Sequence, residues 1–232
     1  MNGWWDILKN VHIICHHTKL SLRWPMLPTL LPGLTDADHR QRLRAVEACI
    51  LLGDPAAAPW IRPLLQDRES VVRSAAIRAL GDLKDEHSFA ELVTCLAAAT
   101  SHERIQAVHA LIALGNPQMR TPLIHAVTAE PHYSVRIAII KALSNFYTDI
   151  KVVTVIIHCL TDPNEDVRAT AAVALAQMGA TQAIPALQRM ALSDTNHETM
   201  MNGMYTAISA VARQALAVLR GQTQHRSLPW PG

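Results

Sequence analysis

The stretch "SVVRSAAIRALGDLKD", residues 70–85, decides the fold, because the same phrase returns along the chain at a nearly fixed interval. It reads "HRQRLRAVEACILLGD" at 39–54, "SHERIQAVHALIALGN" at 101–116, "HYSVRIAIIKALSNFYT" at 132–148 and "NEDVRATAAVALAQMGA" at 164–180. Anchored on Arg42, Arg73, Arg104, Arg136 and Arg168, successive copies lie 31, 31, 32 and 32 residues apart. A period of that length marks stacked two-helix units, none of which can bury its apolar face alone.

The columns of this alignment predict the packing. Three residues after the arginine stand Ala45, Ala76, Ala107, Ile139 and Ala171, and six after it Ala48, Ala79, Ala110, Ala142 and Ala174, mostly small side chains that let helices approach closely. The fourth and seventh positions are mostly larger, as in Ile77 and Leu80 or Val108 and Leu111. At 100° per residue these offsets share one side of a helix, which is therefore its buried face. Eleven residues after the arginine come Gly53, Lys84, Gly115, Tyr147 and Gly179, the place for a helix stop. Six residues before it come Asp36, Asp67, Ala98, Glu130 and Asp162, an acid in four units of five. Between each stop and the next acid lies another apolar helix, in whose first turn Pro28, Pro59, Pro122 and Pro185 are tolerated. Pro32 and Pro63 fall one turn deeper and predict that the first two of these helices are short or kinked.

A pair of helices with aspartate in its internal turn and "VR" opening the second helix resembles the HEAT-like repeats of the phycobilisome-lyase type, over residues 25–221. The resemblance implies an all-α fold, a right-handed α-solenoid (superhelix) of about six HEAT-like helix pairs with capping helices at both ends. The units fall at 25–53, 54–84, 85–115, 116–147, 148–179 and 180–221. It also implies a hydrogen-bonded ladder between units, here Asp36, Asp67 and Asp162 with Arg42, Arg73, Arg104, Arg136 and Arg168, interrupted where Ala98 replaces the acid. At the N-terminus Trp4, Leu8, Val11 and Cys15 form one stripe, predicting a capping helix over 1–24; an exposed helix that docks on a partner or lipid surface is the alternative. At the other end "HETMMNGMYTAISAVARQALAVLRG", 197–221, predicts one long capping helix with Met204, Ala207, Val211, Leu216 and Leu219 as its apolar stripe, followed by a loose tail at 222–232.

Composition narrows the function. Lys and Arg number 21 against 19 Asp and Glu, a net charge of +2, far from the basic excess of proteins that neutralise phosphate backbones. With only 4% aromatic residues there is also little surface for stacking on bases, so a DNA-binding HEAT-like glycosylase is disfavoured and no nucleic-acid partner is expected. The four cysteines, Cys15, Cys49, Cys95 and Cys159, lie far apart with no CxxC pair, which points to neither a zinc site nor a disulfide framework and suits a reducing cytoplasm. No signal-peptide pattern is visible, and no apolar run approaches the ~20 residues of a membrane span.

Two histidine patterns invite a metal. His102 and His109 are seven residues apart, not four, and so stand about 10 Å apart along a helix, too far to share an ion. The iron-dependent deoxyhypusine hydroxylases place His-Glu pairs after the arginine position, whereas His102 and Glu103 precede Arg104. The plainer reading makes both first-turn polar residues facing water. In "HIICHH", His12 and His16 are four apart and could share a metal, but no carboxylate or further cysteine lies near them, so no metal is assigned.

What remains is the face of the second helices opposite the buried stripe. Five residues after the arginine stand Glu47, Arg78, His109, Lys141 and Val173, and around them Arg44, Ile105, Ile112, Ile137 and Asn145. With helices packed roughly 8–10 Å apart, Arg78 and Lys141 are expected on the order of 20 Å from each other. That span suits an extended acidic or amphipathic segment of another protein better than a catalytic centre. With no catalytic constellation in view, the reading is a non-catalytic protein-binding scaffold or assembly factor without a cofactor. The family resemblance adds the alternative of a bilin lyase subunit or phycobilisome-associated factor, with bilin propionates received by Arg78, His109 and Lys141.

Overall fold

In the computed structural model, which describes residues 26–193, 198–201, 204–221 and 230, the chain folds as helix pairs in the expected register. The pairs are α1 (Leu27–Leu34) with α2 (His39–Leu52), α3 (Ala58–Ile61) with α4 (Ser70–Asp82), and α5 (Phe89–Thr94) with α6 (Ser101–Leu114). There follow α7 (Arg120–Ala129) with α8 (Tyr133–Leu143), α9 (Ile150–His158) with α10 (Glu165–Gln177), and α11 (Ile184–Ser193). Two strands, β1 (Glu198–Met201) and β2 (Met204–Ala207), lead into α12 (Ile208–Leu219). The helices gather into two compact units, Met1–Pro117 and Gln118–Gly232. The expected N-terminal helix over 1–24 and all of the tail except Trp230 lie outside the described residues.

The helix ends are set by local chemistry. Asp38 accepts from the Arg40 amide at the start of α2, Thr100 and Glu103 form a capping box on α6, and Asn164 accepts from the Asp166 and Val167 amides on α10. Each cap satisfies amides that the first helical turn leaves without intrahelical partners. At the stops, Gly53, Gly115 and Gly179 adopt φ of 62°, 70° and 67°, the left-handed turn that glycine enters without strain.

Lys84 occupies the same place with φ 53°, the one non-glycine with positive φ among the described residues. The Asp85 amide still reaches back to the Leu80 carbonyl (3.0 Å), so the lysine takes the glycine geometry and bears its Cβ crowding. Lys84→Gly removes roughly 1–2 kcal/mol of such strain and gives back roughly 0.4–1 through a looser unfolded chain. A net stabilisation of about 0.5–1 kcal/mol is expected in chemical denaturation, and a loss of stability would contradict this account. The fourth unit has no glycine at the stop, and α8 ends early, at Leu143 rather than near Tyr147, leaving through successive turns closed by Phe146 N to Leu143 O and Asp149 N to Phe146 O.

Proline shapes the first helices as expected. Pro63 can donate no amide and crowds the carbonyl four residues back, so α3 lasts only four residues before a 3-10 turn over Arg62–Gln66. Pro32 lies inside the eight-residue α1.

Every alanine of the three- and six-residue columns is buried, and so are Leu80, Leu111, Ile140 and Leu143. One glycine of this packing has nothing to do with a turn. A Cβ built on Gly81 of α4 would stand 2.6 Å from the Ala110 Cα of α6, so the two helices meet there backbone to backbone.

The C-terminal end departs from expectation. In place of one long helix, Glu198–Met201 and Met204–Ala207 pair as an antiparallel hairpin in the register Met201 opposite Met204, and only from Ile208 is the chain helical. The two residues between the strands are Asn202 and Gly203, the dipeptide most favoured in two-residue hairpin turns. Met204 and Ala207 are therefore strand residues, while Val211, Leu216 and Leu219 are buried in α12 as expected. The capping role itself persists: α12 packs on α10 and α11, and β1 also touches α10. With α8 and α9 against it as well, α10 is buried on every side from Val167 to Ala176.

Candidate functional site

The arginine column builds a ladder inside each compact unit. In the first, Arg42 of α2 donates from Nη1 to the Asp36 and Ala37 carbonyls of its own turn (2.8 and 3.1 Å). Its other edge, Nε and Nη2, grips both Asp67 oxygens of the next turn at 2.6 and 2.8 Å. Asp67 also accepts the Glu69 amide (2.9 Å), so one carboxylate closes its own turn and joins two helix pairs. These bonds raise the pKa of Arg42 and hold Asp67 below the ordinary carboxylate range, chiefly through the Arg42–Asp67 hydrogen bonds themselves. In the second unit Arg136 repeats the pattern, binding the Glu130 and Pro131 carbonyls and chelating Asp162 at 2.8 Å through both nitrogens. Arg104 and Arg168 bind the Ala98 and Asp162 carbonyls of their own turns.

The rung that Ala98 deprives of its aspartate is rebuilt from elsewhere. Arg73 turns its Nε and Nη2 to Glu103 Oε1 (2.8 and 2.7 Å), while its Nη1 keeps the Asp67 and Arg68 carbonyls. Glu103 is therefore no solvated first-turn residue: it is 1% exposed, caps α6 and supplies the missing anion. The expectation failed because position and charge alone do not show which neighbour a first-turn glutamate faces. His102, one residue earlier, is exposed as expected.

Across α2, α4 and α6 of the first unit runs a groove of about 360 Å³. Leu43 and Glu47 line it from α2, Val71 and Arg78 from α4, and His102 and Gln106 from α6. Val71 is half exposed, so the groove offers apolar surface framed by polar groups. Glu47, Arg78 and His102 are exposed, and among the described residues none of the three has a hydrogen-bond or ion-pair partner.

Of the eight residues expected at the binding face, only Arg78 lines this groove. In the same unit His109 and Ile112 are exposed, and Arg44 and Ile105 half-buried. In the second unit Ile137 and Lys141 are half-buried and Asn145 is exposed, its amide donating to the Ala142 carbonyl (3.1 Å). Lys141 Nζ lies 5.5 Å from the centre of the Trp230 ring, and burial lowers its pKa. Val173, which ends the column, is buried with the rest of α10.

The model of the family described as HEAT repeats matches residues 27–112 and 120–202, well over half of the chain. The chain belongs to the HEAT-repeat family. No curated protein matches it significantly. Among solved structures, YibA of Escherichia coli is 18% identical with a TM-score of 0.61, covering 94% of this chain and 82% of that one. The complex of CpcE and CpcF of phycocyanin lyase from Nostoc sp. is also 18% identical, with a TM-score of 0.50 and coverage of 94% and 91%. A designed armadillo repeat protein is 19% identical, with a TM-score of 0.53 and coverage of 83% and 99%. At these identities the likeness is one of fold, an all-helical repeat.

Within the HEAT units lies a second column of acids that the arginine register overshadowed. Asp54, Asp85 and Asp149 each stand nineteen residues before a ladder arginine, at the entry to a first helix. Asp54 and Asp149 cap the Ala56 and Lys151 amides. Asp85 and Asp149 also pair with arginines of the preceding helix pairs, Arg62 Nε of the 3-10 turn after α3 at 2.7 Å and Arg120 Nη1 of α7 at 2.8 Å. Burial opposes the charge of Asp85, but hydrogen bonds from Arg62 and Ser88 outweigh it and leave its pKa lowered. The 31-residue recurrence of Asp54 and Asp85 was the available signal.

The thiols of the described residues are poor nucleophiles. Burial pushes Cys49 and Cys159 up to about 12 and Cys95 up to about 11, so none is a thiolate near neutral pH. Among the described residues no group of three or more His, Cys, Asp or Glu side chains could hold a metal, and no helix is long and apolar enough to cross a membrane. The weaker metal pair, His12 and His16, lies outside them.

Proposed function

We propose that this HEAT-repeat chain is a non-catalytic scaffold that holds another protein along the second helices of its first unit. The observation that carries the reading is the groove across α2, α4 and α6, where apolar surface at Leu43 and Val71 is framed by Glu47 and Arg78, which have no partner among the described residues. A floor of apolar contact with a polar rim is how protein interfaces divide affinity from orientation. The groove reaches over three helices, a layout suited to a segment of chain. The phycocyanin lyase likeness is one of fold, so the bilin alternative has behind it only Arg78, His109 and Lys141 of the expected column.

Affinity capture with mass spectrometry tests the scaffold reading when wild type is compared with Val71→Asp. A carboxylate at Val71 puts charge on the apolar strip of the groove while leaving the core stripe intact. Retention of a specific partner is expected to fall about tenfold, with circular dichroism unchanged. Partners captured equally by the variant would remove this face from the proposal.

A further inference from the structure

The groove's charges alternate. Glu47 projects from α2, Arg78 from α4, and α2 packs on α4 as α4 packs on α6. The two side chains stand on neighbouring helices, both exposed, and among the described residues neither has a partner. An acid and a base left open side by side ask for a ligand that carries the opposite pair in matching order. Neighbouring helices are roughly 8–10 Å apart. A polyproline II segment repeats its facing every third residue and rises about 3.1 Å per residue, so its residues i and i+3 point the same way about 9 Å apart.

We infer that the groove of the first unit receives a polyproline II segment bearing one basic and one acidic residue three positions apart, the base meeting Glu47 and the acid meeting Arg78. The side chains between them rest on Leu43 and Val71. This rests on the scaffold reading and adds to it the chemistry of the occupant. It narrows the expectation of an acidic or amphipathic segment, since a purely acidic one would set a carboxylate against Glu47. A polyproline II occupant also loses little entropy on binding, because the unbound segment already favours that conformation.

Three labelled nonapeptides test the assignment, each with two prolines between its charged positions: one with arginine and glutamate, one with two arginines, one with two glutamates. Fluorescence anisotropy on the full chain should show the mixed-charge peptide binding about fivefold tighter than either like-charged one, the scale of one exposed ion pair. Glu47→Arg should move the preference to the two-glutamate peptide and Arg78→Glu to the two-arginine peptide. The double variant should restore the wild-type preference. Equal affinities for the three peptides, or no binding by any at millimolar concentration, would overturn the inference. So would a dimer in sedimentation that Val71→Asp dissociates, since a second copy would then fill the groove. Loss of partner capture in Val71→Asp without any preference among the peptides would leave the scaffold standing and remove only the occupant.

Discussion

Asp67→Ala is expected to destabilise the chain by about 3–5 kcal/mol, the cost of leaving a buried guanidinium without its anion. Arg42 and Asp67 are 8% and 5% exposed, too little for water to replace the missing carboxylate. The substitution also strips the Glu69 amide of its acceptor and so opens the turn that feeds α4. Replacing both partners by apolar residues of similar size should recover much of the loss, because an apolar pair carries no desolvation cost. A double-mutant cycle by urea denaturation separates these outcomes, and a single-mutant loss below about 1 kcal/mol would mean that the ladder does not hold the pairs together. The sign of the pH dependence follows from the lowered pKa of folded Asp67. Its stabilisation is complete above the unfolded value of about 4 and is lost as pH falls through the folded value. Below about pH 4 the stability of wild type should therefore drop more steeply than that of Asp67→Asn.

Gly81→Ala should cost about 2–3 kcal/mol although it adds a single methyl group to a helix. On propensity alone the change would help, since alanine is favoured over glycine in a helix interior by about 1 kcal/mol. The new Cβ, however, meets the Ala110 Cα at 2.6 Å and its Cβ at 2.8 Å, and a backbone atom cannot rotate away as a long side chain would. α4 and α6 must separate, loosening contacts around Ile77, Leu80 and Leu111. Ala110→Gly together with Gly81→Ala would remove one of the two contacts and should restore only part of the loss. A stability equal to or above wild type for Gly81→Ala would show that the helices are not held at this distance.

The fold was legible because its determinants recur. Small residues at Ala76 and Ala107, glycine at the stops and aspartate at the turns repeat often enough for noise to cancel. Three features escaped for reasons of different kinds. Lys84 kept a glycine conformation because the surrounding turn imposes it, which no residue preference reveals. Glu103 replaced a missing aspartate from a different position, and that substitution is visible only once Arg73 can be seen to reach it. The hairpin was announced by Asn202-Gly203, a signal outweighed by the helical period that follows it from Ile208 onward. Of the groove, Glu47 and Arg78 were legible, since both stand five residues after their arginines, whereas Val71 and His102 both stand two before theirs, an offset that meets the five-residue column only when the helices are placed side by side.

In a simple repeat array each unit answers to the units before and after it, and ends can fray one pair at a time. α10 has lost that independence: its small side chains, Ala169, Ala171, Ala172, Ala174 and Ala176, are covered on all sides by α8, α9, α12 and β1 together. A helix with no face left for water has no half-formed state that avoids exposing it. The second unit therefore opens in one larger step than its repeat length implies, and its final pairs act as a single block that anchors the register of the helices before them.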